Sequence, residues 1–296
     1  MKILLLGKNG QLGWELQRSL ATLGELIALD RHSTHLCGDL ENTEGLRSTI
    51  RQVRPDVIVN AGAYTAVDKA ESETELSYQV NSRASQALAE EATVLGSWLV
   101  HYSTDYVFEG GGSTAWSEID PVAPLNVYGA SKSEGEQAIV ASGCKHLIFR
   151  TSWVYGALGN NFAKTMLRLA KERATLNVIA DQIGAPTGAD LLADVSVCAL
   201  RQAQARPELG GVYHIAAAGE TSWHGYAQFV IDLAREHGEV LAVENVNPIA
   251  TEAYPTPARR PLNSRLNTQK LRTNFSLHLP DWQSGVTRML MEVLRK

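Results

Sequence analysis

Tyr128 and Lys132 lie four residues apart, so a phenol and an ammonium share one face if this segment is helical. A free phenol has a pKa of roughly 10, and a positive charge beside it favours the phenolate and lowers that pKa. Tyr128 is therefore a candidate proton donor near neutral pH. Two surface side chains can also share this spacing by coincidence. The pair can act as a reaction site only if the rest of the chain binds a hydride donor and a substrate.

A glycine-rich loop follows directly after the first apolar run of the chain. Residues 3–6 are continuously apolar, as expected of a buried parallel strand, and Gly7, Gly10 and Gly13 precede a helical pattern. Glycines at these positions permit a tight turn, close approach of a pyrophosphate to the backbone, and close packing of helix on strand. A glycine motif alone is a weak signal, but its place between a strand and a helix predicts a dinucleotide-binding turn.

Asp30 follows a second short strand, residues 26–29. It lies roughly 20 residues after the glycine loop, which is the usual position of the acid in dinucleotide-binding folds. An acid at this point accepts hydrogen bonds from the ribose hydroxyls of NAD and repels the 2′-phosphate of NADP. Arg31 follows it and Lys8 lies in the glycine loop, so either cation can offset that repulsion. The sequence therefore predicts a nicotinamide coenzyme, NADPH or NADH, and leaves the preference between the two open.

The remaining apolar runs predict an α/β fold with a doubly wound parallel sheet. Residues 57–59, 98–102 and 147–150 are β-capable, and residues 71–92 carry apolar positions at helical spacing. Strands that alternate with helices form a parallel sheet, and ligands collect beyond the carboxyl ends of its strands. The alternation becomes less regular after residue 150, where we place a smaller second domain. Residues 212–215 can return to the first domain.

The composition is that of an ordinary globular protein. With 296 residues the chain can bury a sizeable core, as one large domain or two smaller ones. Its net charge of -5 argues against a general nucleic-acid binder. The first apolar run is too short for a membrane span or a signal peptide. Three cysteines without a CxxC spacing suggest neither a disulfide framework nor a zinc site, so we expect a cytoplasmic protein.

Three features coincide in this chain: the glycine loop at residues 7–13, Thr104 after a predicted strand, and the pair of Tyr128 and Lys132. Together they resemble the extended short-chain dehydrogenase/reductase family over essentially the whole chain. Segments 103–108, 126–129, 150–155, 184–187 and 260–264 are similar to those members that reduce the 4-keto group of a dTDP-linked 6-deoxy sugar and complete dTDP-L-rhamnose synthesis. The resemblance implies a Rossmann-type coenzyme domain at residues 1–150, with a smaller, mainly substrate-binding C-terminal α/β domain at residues 151–296.

The resemblance also implies roles for single residues. NADPH or NADH would deliver hydride to the C4 carbonyl, Tyr128 would protonate the resulting alkoxide, and Thr104 would hydrogen-bond the same oxygen. Lys132 would bind the nicotinamide ribose and lower the pKa of Tyr128. Asp105 and Trp153 would also contact the dTDP-sugar, unless Trp153 is a core residue. The coenzyme contacts would be Gly7, Gly10, Gln11, Leu12, Gly13, Asp30, Asp39, Leu40, Ala63, Tyr64, Thr65 and Lys132.

Two alternatives stay open at this point, and a third is disfavoured by the sequence. Family members that act as 4,6-dehydratases carry an acid pair after the equivalent threonine, but here Asp105 is followed by Tyr106, which favours simple reduction. A nucleotide-sugar 4-epimerase would keep its NAD bound and need no external reductant. A non-catalytic protein is the other open alternative, because the regulatory subunit of methionine adenosyltransferase resembles the same family and works by association with another enzyme.

The resemblance further implies a homodimer, and some family members carry Mg²⁺ at the dimer interface. Three carboxylates could serve such an ion, but their spacing does not require it, so we assign no metal ligand. These carboxylates are Glu15, Asp190 and Glu292. A basic cluster near the C-terminus suits a pyrophosphate, with a solvated loop as the other interpretation. It consists of Arg259, Arg260 and Arg265.

Overall fold

The apolar runs predicted from the sequence form the strands of one central parallel sheet in the computed structural model, which describes residues 1–294. The strands of the chain are β1 (Lys2–Leu6), β2 (Glu25–Leu29), β3 (Val57–Asn60), β4 (Trp98–Thr104), β5 (Lys145–Thr151), β6 (Val154–Tyr155), β7 (Thr175–Ile179), β8 (Ile183–Gly184), β9 (Thr187–Gly188), β10 (Gly211–His214), β11 (Thr221–Ser222) and β12 (Asn245–Ile249). The helices are α1 (Gln11–Leu20), α2 (Thr43–Val53), α3 (Val67–Ala70), α4 (Thr74–Tyr78), α5 (Ala84–Leu95), α6 (Val127–Ala141), α7 (Phe162–Glu172), α8 (Ala189–Ala205), α9 (Trp223–Glu236), α10 (Gln269–Phe275) and α11 (Trp282–Leu294). Within this described part of the chain, no helix combines the length and the apolar character needed to cross a membrane.

The central sheet has the strand order β10-β5-β4-β3-β1-β2, and each of these pairings is parallel. The direction of winding reverses at β1, which pairs with β2 on one side and with β3 on the other. Such a reversal opens a crevice beyond the carboxyl ends of the strands, where α/β proteins bind their ligands. The predicted doubly wound parallel sheet is confirmed, and β10 joins it beside β5.

Successive side chains of β1 enter two different hydrophobic clusters, because the strand is buried on both faces. Ile3 and Leu5 pack with α1, α8 and α10 on one face of the sheet. Leu4 and Leu6 pack with α2, α5 and α6 on the other face. A further cluster joins α7, α9 and α11 with β7 and lies in the later part of the chain. We retain the domain boundary near residue 150 as a proposal.

The crossover between β3 and β4 differs from the single helix that the apolar spacing of residues 71–92 predicts. It contains α4, a π-helical turn at Gln79–Arg83, and α5. Asn81 in this turn is buried, accepts a hydrogen bond from the Tyr64 N–H at 2.9 Å, and donates to the Tyr64 carbonyl at 3.1 Å and to Ser131 Oγ at 3.0 Å. The widened turn points a polar side chain inward, which a strict period of 3.6 residues does not anticipate.

A buried ion pair fixes α6 against the sheet. Glu136 on α6 accepts hydrogen bonds from Nε and Nη2 of Arg150 on β5, at 3.0 Å and 2.6 Å. The Arg150 guanidinium also lies 5.1 Å from the centroid of the Phe108 ring. Removing one member of such a pair would leave an unpaired buried charge, so the pair strongly favours this position of the helix. Tyr128 and Lys132 lie on the same helix and are positioned with it.

The turn between β1 and α1 depends on two glycines. Gly7 has φ = 85°, which side chains rarely adopt, and its N–H donates to the Leu29 carbonyl at 2.9 Å. A Cβ on Gly13 would lie 2.0 Å from the Gly7 carbonyl oxygen, so α1 approaches the turn this closely only with glycine there. A Cβ on Gly10 would meet the same oxygen at 3.4 Å, near ordinary contact distance. Gly13 therefore seats the helix, whereas Gly10 tolerates a methyl group.

We expect Gly13→Ala to destabilise the protein by about 1–3 kcal/mol, because the added methyl group overlaps backbone that cannot rotate away. Gly10→Ala is the matched control, and we expect it to change the free energy of unfolding by less than about 1 kcal/mol. Chemical denaturation of both variants without coenzyme measures the difference. Equal losses in the two variants would contradict the assigned role of Gly13.

Candidate active site

A cleft of about 790 Å³ opens at the carboxyl edge of the central sheet, with walls from the glycine turn, the ends of β2, β3, β4 and β5, and α6. Most of the residues singled out from the sequence line it. They are Gly7, Gly10, Gln11, Leu12, Asp30, Asp39, Leu40, Ala63, Thr65, Thr104, Asp105, Tyr128, Lys132 and Trp153. The fold thus brings the glycine loop and the candidate proton donor into one cavity.

The glycine-turn end of this cleft fits the pyrophosphate of a dinucleotide. Gly10, Gln11 and Leu12 form the N-terminus of α1, and all three line the cleft. The positive end of a helix dipole and free N–H groups favour an anion at such a position. Gly10 caps the helix without a side chain of its own, so the backbone is open to close approach.

Asp30 provides the carboxylate expected near the ribose. It accepts hydrogen bonds from Asn9 Nδ2, from the His32 N–H at 2.9 Å and from Ser33 Oγ at 3.1 Å. Lys8 Nζ lies 3.8 Å from the same carboxylate. Desolvation opposes its ionisation, but these hydrogen bonds and the Lys8 charge hold the pKa of Asp30 below its ordinary value. The acid is therefore ionised and held in a fixed orientation on the cleft wall.

Gly13 and Tyr64 are exceptions among the expected coenzyme contacts, because the structure places neither in the cleft wall. Gly13 faces the Gly7 carbonyl and serves helix packing. The Tyr64 hydroxyl donates to Glu73 at 2.5 Å, and this hydrogen bond raises the pKa of Tyr64 to about 12. The Tyr64 backbone is tied to Asn81 in the π-helical turn. Contact of either residue with a coenzyme stays a prediction.

Thr104 and Asp105 form a hydrogen-bonded pair at the end of β4. Thr104 Oγ1 donates to Asp105 Oδ1 at 3.0 Å and accepts from the Tyr106 N–H at 3.1 Å. Burial raises the pKa of Asp105 to about 6, against the opposing effect of the Ser264 and Thr104 hydroxyls. The Asp105 carboxyl therefore changes its charge close to neutral pH.

Tyr128 lies in the first turn of α6, which the Asn126 side chain caps. Its ring packs edge-on against the Tyr106 ring, with 5.7 Å between centroids. Burial raises the pKa of Tyr128 well above its ordinary value, the charge of Asp105 raises it further, and a hydrogen bond with Thr104 lowers it. Tyr128 therefore holds its proton at neutral pH and can donate it to a stronger base such as an alkoxide.

Lys132 is almost fully buried one turn further along α6, with 1% of its surface exposed. Its Nζ donates to the Tyr102 carbonyl at 2.6 Å and lies 3.1 Å from His101 Nε2. Burial lowers the pKa of Lys132 to about 8, although Glu136 raises it. The expectation that Lys132 lowers the pKa of Tyr128 is not met here, because the amine contacts β4 and burial dominates at the phenol.

Trp153 connects the cleft to the cluster around α9. It adopts φ = 50°, which is uncommon for a bulky side chain, and its ring stacks on Trp223 with 3.7 Å between centroids. Both rings line the cleft, and the Trp223 indole N–H donates to Gln182 Oε1 at 3.1 Å. Trp153 is thus both packed and accessible, and its contact with a sugar stays a prediction. Trp223 lies far along the chain and carries no spacing signal that could have identified it.

The cleft also contains buried hydroxyls that the sequence did not single out. Ser103 Oγ, Thr151 Oγ1 and Ser152 Oγ have no hydrogen-bond partner among the described residues, and all three residues line the cleft. Buried hydroxyls are nearly always paired, so these groups suit the polar atoms of a ligand. The register of β4 and β5, which places Thr104 beside Thr151, brings them together. Their place at two predicted strand ends is the signal that could have identified them.

The carboxylates considered for Mg²⁺ line a different pocket and already have partners. Glu15 lies 3.4 Å from Arg18, while Asp190 and Glu292 each lie 3.6 Å from Arg288. Within residues 1–294, no group of three or more acidic, histidine or cysteine side chains is arranged to hold a metal ion. The structure thus gives no support for Mg²⁺ at these residues.

Two of the three C-terminal arginines form ion pairs outside the cleft wall. Arg260 Nη2 lies 2.6 Å from Asp68, and Arg265 Nε lies 2.5 Å from Glu220. The Arg259 carbonyl accepts a hydrogen bond from the Asn126 side chain, which also caps α6. These contacts favour a structural role over the pyrophosphate site considered from the sequence.

The chain is similar to a family of known enzymes over its full length. The sequence model of the RmlD substrate binding domain family matches residues 1–295. A dTDP-4-dehydrorhamnose reductase of Shigella flexneri is 60% identical over 293 residues, which cover 99% of this chain and 98% of that protein.

Two solved structures share the fold closely. A dTDP-4-dehydrorhamnose reductase from Clostridium acetobutylicum has a TM-score of 0.91 and 34% sequence identity, and the match covers 100% of both chains. A dTDP-4-dehydrorhamnose reductase from Bacillus anthracis, solved in complex with NADP, has a TM-score of 0.87 and 37% identity. That match covers 99% of this chain and 100% of the other.

We expect Asp105→Asn to change the pH dependence of stability. The pKa of Asp105 is raised from 3.8 to about 6 on folding, so its contribution is fully present only well below pH 3.8 and is lost as the pH rises through 6. Relative to the variant, the wild type should lose about 2.4 kcal/mol between pH 4 and pH 7.5. Chemical denaturation of both proteins at the two pH values measures this. A difference that does not vary with pH would contradict the assigned burial.

Proposed function

The chain belongs to the RmlD substrate binding domain family, and on this basis we propose that it is a dTDP-4-dehydrorhamnose reductase. The reaction is the reduction of the 4-keto group of dTDP-4-dehydro-6-deoxy-L-mannose, also called dTDP-6-deoxy-L-lyxo-4-hexulose, to dTDP-L-rhamnose. One observation carries the proposal: Thr104, Asp105, Tyr128 and Lys132 meet in the cleft whose other end is the glycine turn. A proton donor and a coenzyme-binding turn in one cavity are what a carbonyl reduction requires.

A nicotinamide coenzyme bound in this cleft would supply the hydride that attacks C4 of the sugar. The N-terminus of α1 would hold its pyrophosphate, and Asp30 would bind a ribose hydroxyl. The NADP bound to the Bacillus anthracis relative supports a coenzyme of this class. Use of NADPH is further supported by Lys8 beside Asp30 and by Arg31, an exposed side chain 3.6 Å from Glu41.

Tyr128 would donate its proton to the C4 oxygen as negative charge develops there. Burial keeps this proton in place until a stronger base is formed, and Thr104 hydrogen-bonds the phenol from the end of β4. The Thr104 hydroxyl, which donates its one hydrogen to Asp105 in the structure, would turn to donate it to the same sugar oxygen. Lys132 would bind the coenzyme ribose from its buried position on α6.

The alternative functions receive less support. A 4,6-dehydratase needs a second acid next to Asp105, and Tyr106 occupies that place with its ring packed against Tyr128. A 4-epimerase and a non-catalytic binding protein are not favoured, because the similar curated protein is a reductase over its whole length. We therefore propose net reduction with coenzyme consumed in each turnover.

The setting of the reaction is also proposed. We expect a homodimer that works in the cytoplasm on a dTDP-sugar without a nucleic-acid or membrane partner, and no metal ion is assigned a role. The similarity to dTDP-4-dehydrorhamnose reductases supports the nucleotide-sugar substrate. The product is an activated sugar, which supports a further role in surface polysaccharides such as the O-antigen of lipopolysaccharide.

We expect purified protein to oxidise NADPH or NADH when dTDP-6-deoxy-L-lyxo-4-hexulose is added, with one coenzyme consumed per sugar reduced. Loss of coenzyme absorbance and detection of dTDP-L-rhamnose measure the reaction. The product itself, which lacks the ketone, is the control substrate and should cause no oxidation of reduced coenzyme. Interconversion of sugars without coenzyme consumption would instead indicate an epimerase, and no turnover would favour a binding protein.

Tyr128→Phe should lower kcat by about 10²- to 10⁴-fold, because it removes the proton donor and retains the ring. Coenzyme affinity, measured by fluorescence titration, should stay within about twofold, since the glycine turn and Asp30 are unchanged. Tyr213→Phe is the control, because it removes a phenol whose hydroxyl donates to the Leu209 carbonyl outside the cleft. Full activity in Tyr128→Phe would rule out this mechanism.

A further inference from the structure

A buried hydrogen-bond chain leads from Asn60 through His101 to Lys132. His101 Nε2 lies 3.1 Å from Lys132 Nζ, and His101 Nδ1 lies 3.3 Å from Asn60 Nδ2. Asn60, His101 and Lys132 each expose only 1% of their surface. Asn60 and His101 are neighbours in the register of β3 and β4, so the sheet itself fixes this contact. Neither residue has a role in the chemistry proposed so far.

The orientation of the Asn60 amide fixes the direction of hydrogen bonding along this chain. The Gly62 N–H donates to Asn60 Oδ1 at 3.2 Å, so the Asn60 Nδ2 group is the donor that faces His101. His101 Nδ1 must then accept, which leaves the ring proton on Nε2, pointing at Lys132. Burial and the Lys132 charge keep the pKa of His101 well below its ordinary value, so the ring stays neutral.

This direction suits the neutral amine of Lys132. A neutral amine has a lone pair that accepts the His101 Nε2–H, and one of its own hydrogens is donated to the Tyr102 carbonyl at 2.6 Å. An ammonium has three donors and no lone pair, so His101 would have to move its proton to Nδ1. Two donors would then face each other across the 3.3 Å contact between His101 and Asn60. The hydrogen-bond chain therefore disfavours the charged form of Lys132.

The other charged and titratable groups around Lys132 act with or against this effect. Glu136 on α6 favours the ammonium, but its charge is engaged by Arg150 on β5. Tyr128 on the same helix and Asp105 at the end of β4 are further titratable side chains of the cleft. Burial lowers the pKa of Lys132 to about 8 and so acts in the same direction as the hydrogen-bond chain.

We propose that Asn60 and His101 are positioning residues that favour the neutral amine of Lys132 and so make its proton available during turnover. Each reduction places one proton on the sugar oxygen, so the site must regain one proton from solvent before the next turnover. A lysine that gives up its proton near neutral pH can supply it, whereas an ordinary lysine holds it too tightly. The role in turnover rests on the proposed reductase activity, but the hydrogen-bond chain does not.

The hydrogen-bond chain can be tested directly through the ring nitrogens of His101. We expect ¹⁵N NMR of the whole protein to show a neutral His101 that changes tautomer between pH 6 and pH 10, from Nδ1–H to Nε2–H, as Lys132 loses its proton. The midpoint should lie near 8. In Asn60→Asp, a carboxylate would accept from Nδ1–H while still accepting from the Gly62 N–H. His101 should then keep the Nδ1–H form to higher pH.

The kinetic test is the pH profile of kcat for reduction. In the wild type, kcat should fall above about pH 8 as Lys132 loses its proton. Asn60→Asp should move this alkaline limb upward by about one pH unit, because the reversed chain now favours the ammonium. His101→Gln should shift it in the same direction, since the amide oxygen can accept from Lys132. This second variant provides the kinetic test if Asn60→Asp does not fold.

Asn42→Asp is the matched control, because it makes the same substitution at the exposed N-cap of α2, where aspartate caps equally well. Its alkaline limb should coincide with that of the wild type. A His101 tautomer that stays constant from pH 6 to pH 10 would overturn the proposal. So would an alkaline limb of the kcat profile that is unshifted in both Asn60→Asp and His101→Gln. Absence of turnover in the wild type would instead contradict the reductase assignment. The NMR result would still show whether the hydrogen-bond chain has the proposed direction.

Discussion

The burial of Lys132 is the constraint on which the site depends. A buried amine is costly unless its hydrogens and lone pair are matched, and here β4 provides both partners through the Tyr102 carbonyl and the His101 ring. The lysine is on α6 and its partners are on the sheet, so the helix cannot slide without losing these contacts. The ion pair of Glu136 with Arg150 holds the same helix to β5. The position of Tyr128, the proposed proton donor, one turn earlier follows from this anchoring.

Burial dominates the protonation of Asp105, Tyr128 and Lys132, because it favours the neutral form of each group. It raises the pKa of Tyr128 and of Asp105 and lowers that of Lys132. Tyr128 therefore keeps its proton at neutral pH, while Asp105 and Lys132 change charge at about 6 and about 8. A donor that stays protonated beside groups that exchange protons near neutrality suits the repeated protonation of an alkoxide.

The two ends of the cleft are built in different ways. The coenzyme end is shaped mainly by backbone, since Gly7 and Gly13 allow contacts that any Cβ would block. The other end is shaped by side chains, including the stacked rings of Trp153 and Trp223. Backbone geometry recurs across a fold class, whereas side chains differ between enzymes that share it. The coenzyme class can thus be argued from the turn, while the sugar is argued from similarity to known reductases.

The sequence by itself determined the parallel sheet, the glycine turn, and the place of Tyr128 and Lys132 one turn apart on a helix, because each is encoded by local periodicity or spacing. Only the tertiary structure decided what surrounds these groups. The contact of Lys132 with His101 depends on how α6 packs on β4, and the stacking of Trp153 on Trp223 joins segments far apart in the chain. The pKa of Tyr128 depends on burial among such neighbours, which the spacing of Tyr128 and Lys132 does not reveal. Local patterns fix elements and candidate residues, but desolvation and long-range contacts set their chemistry.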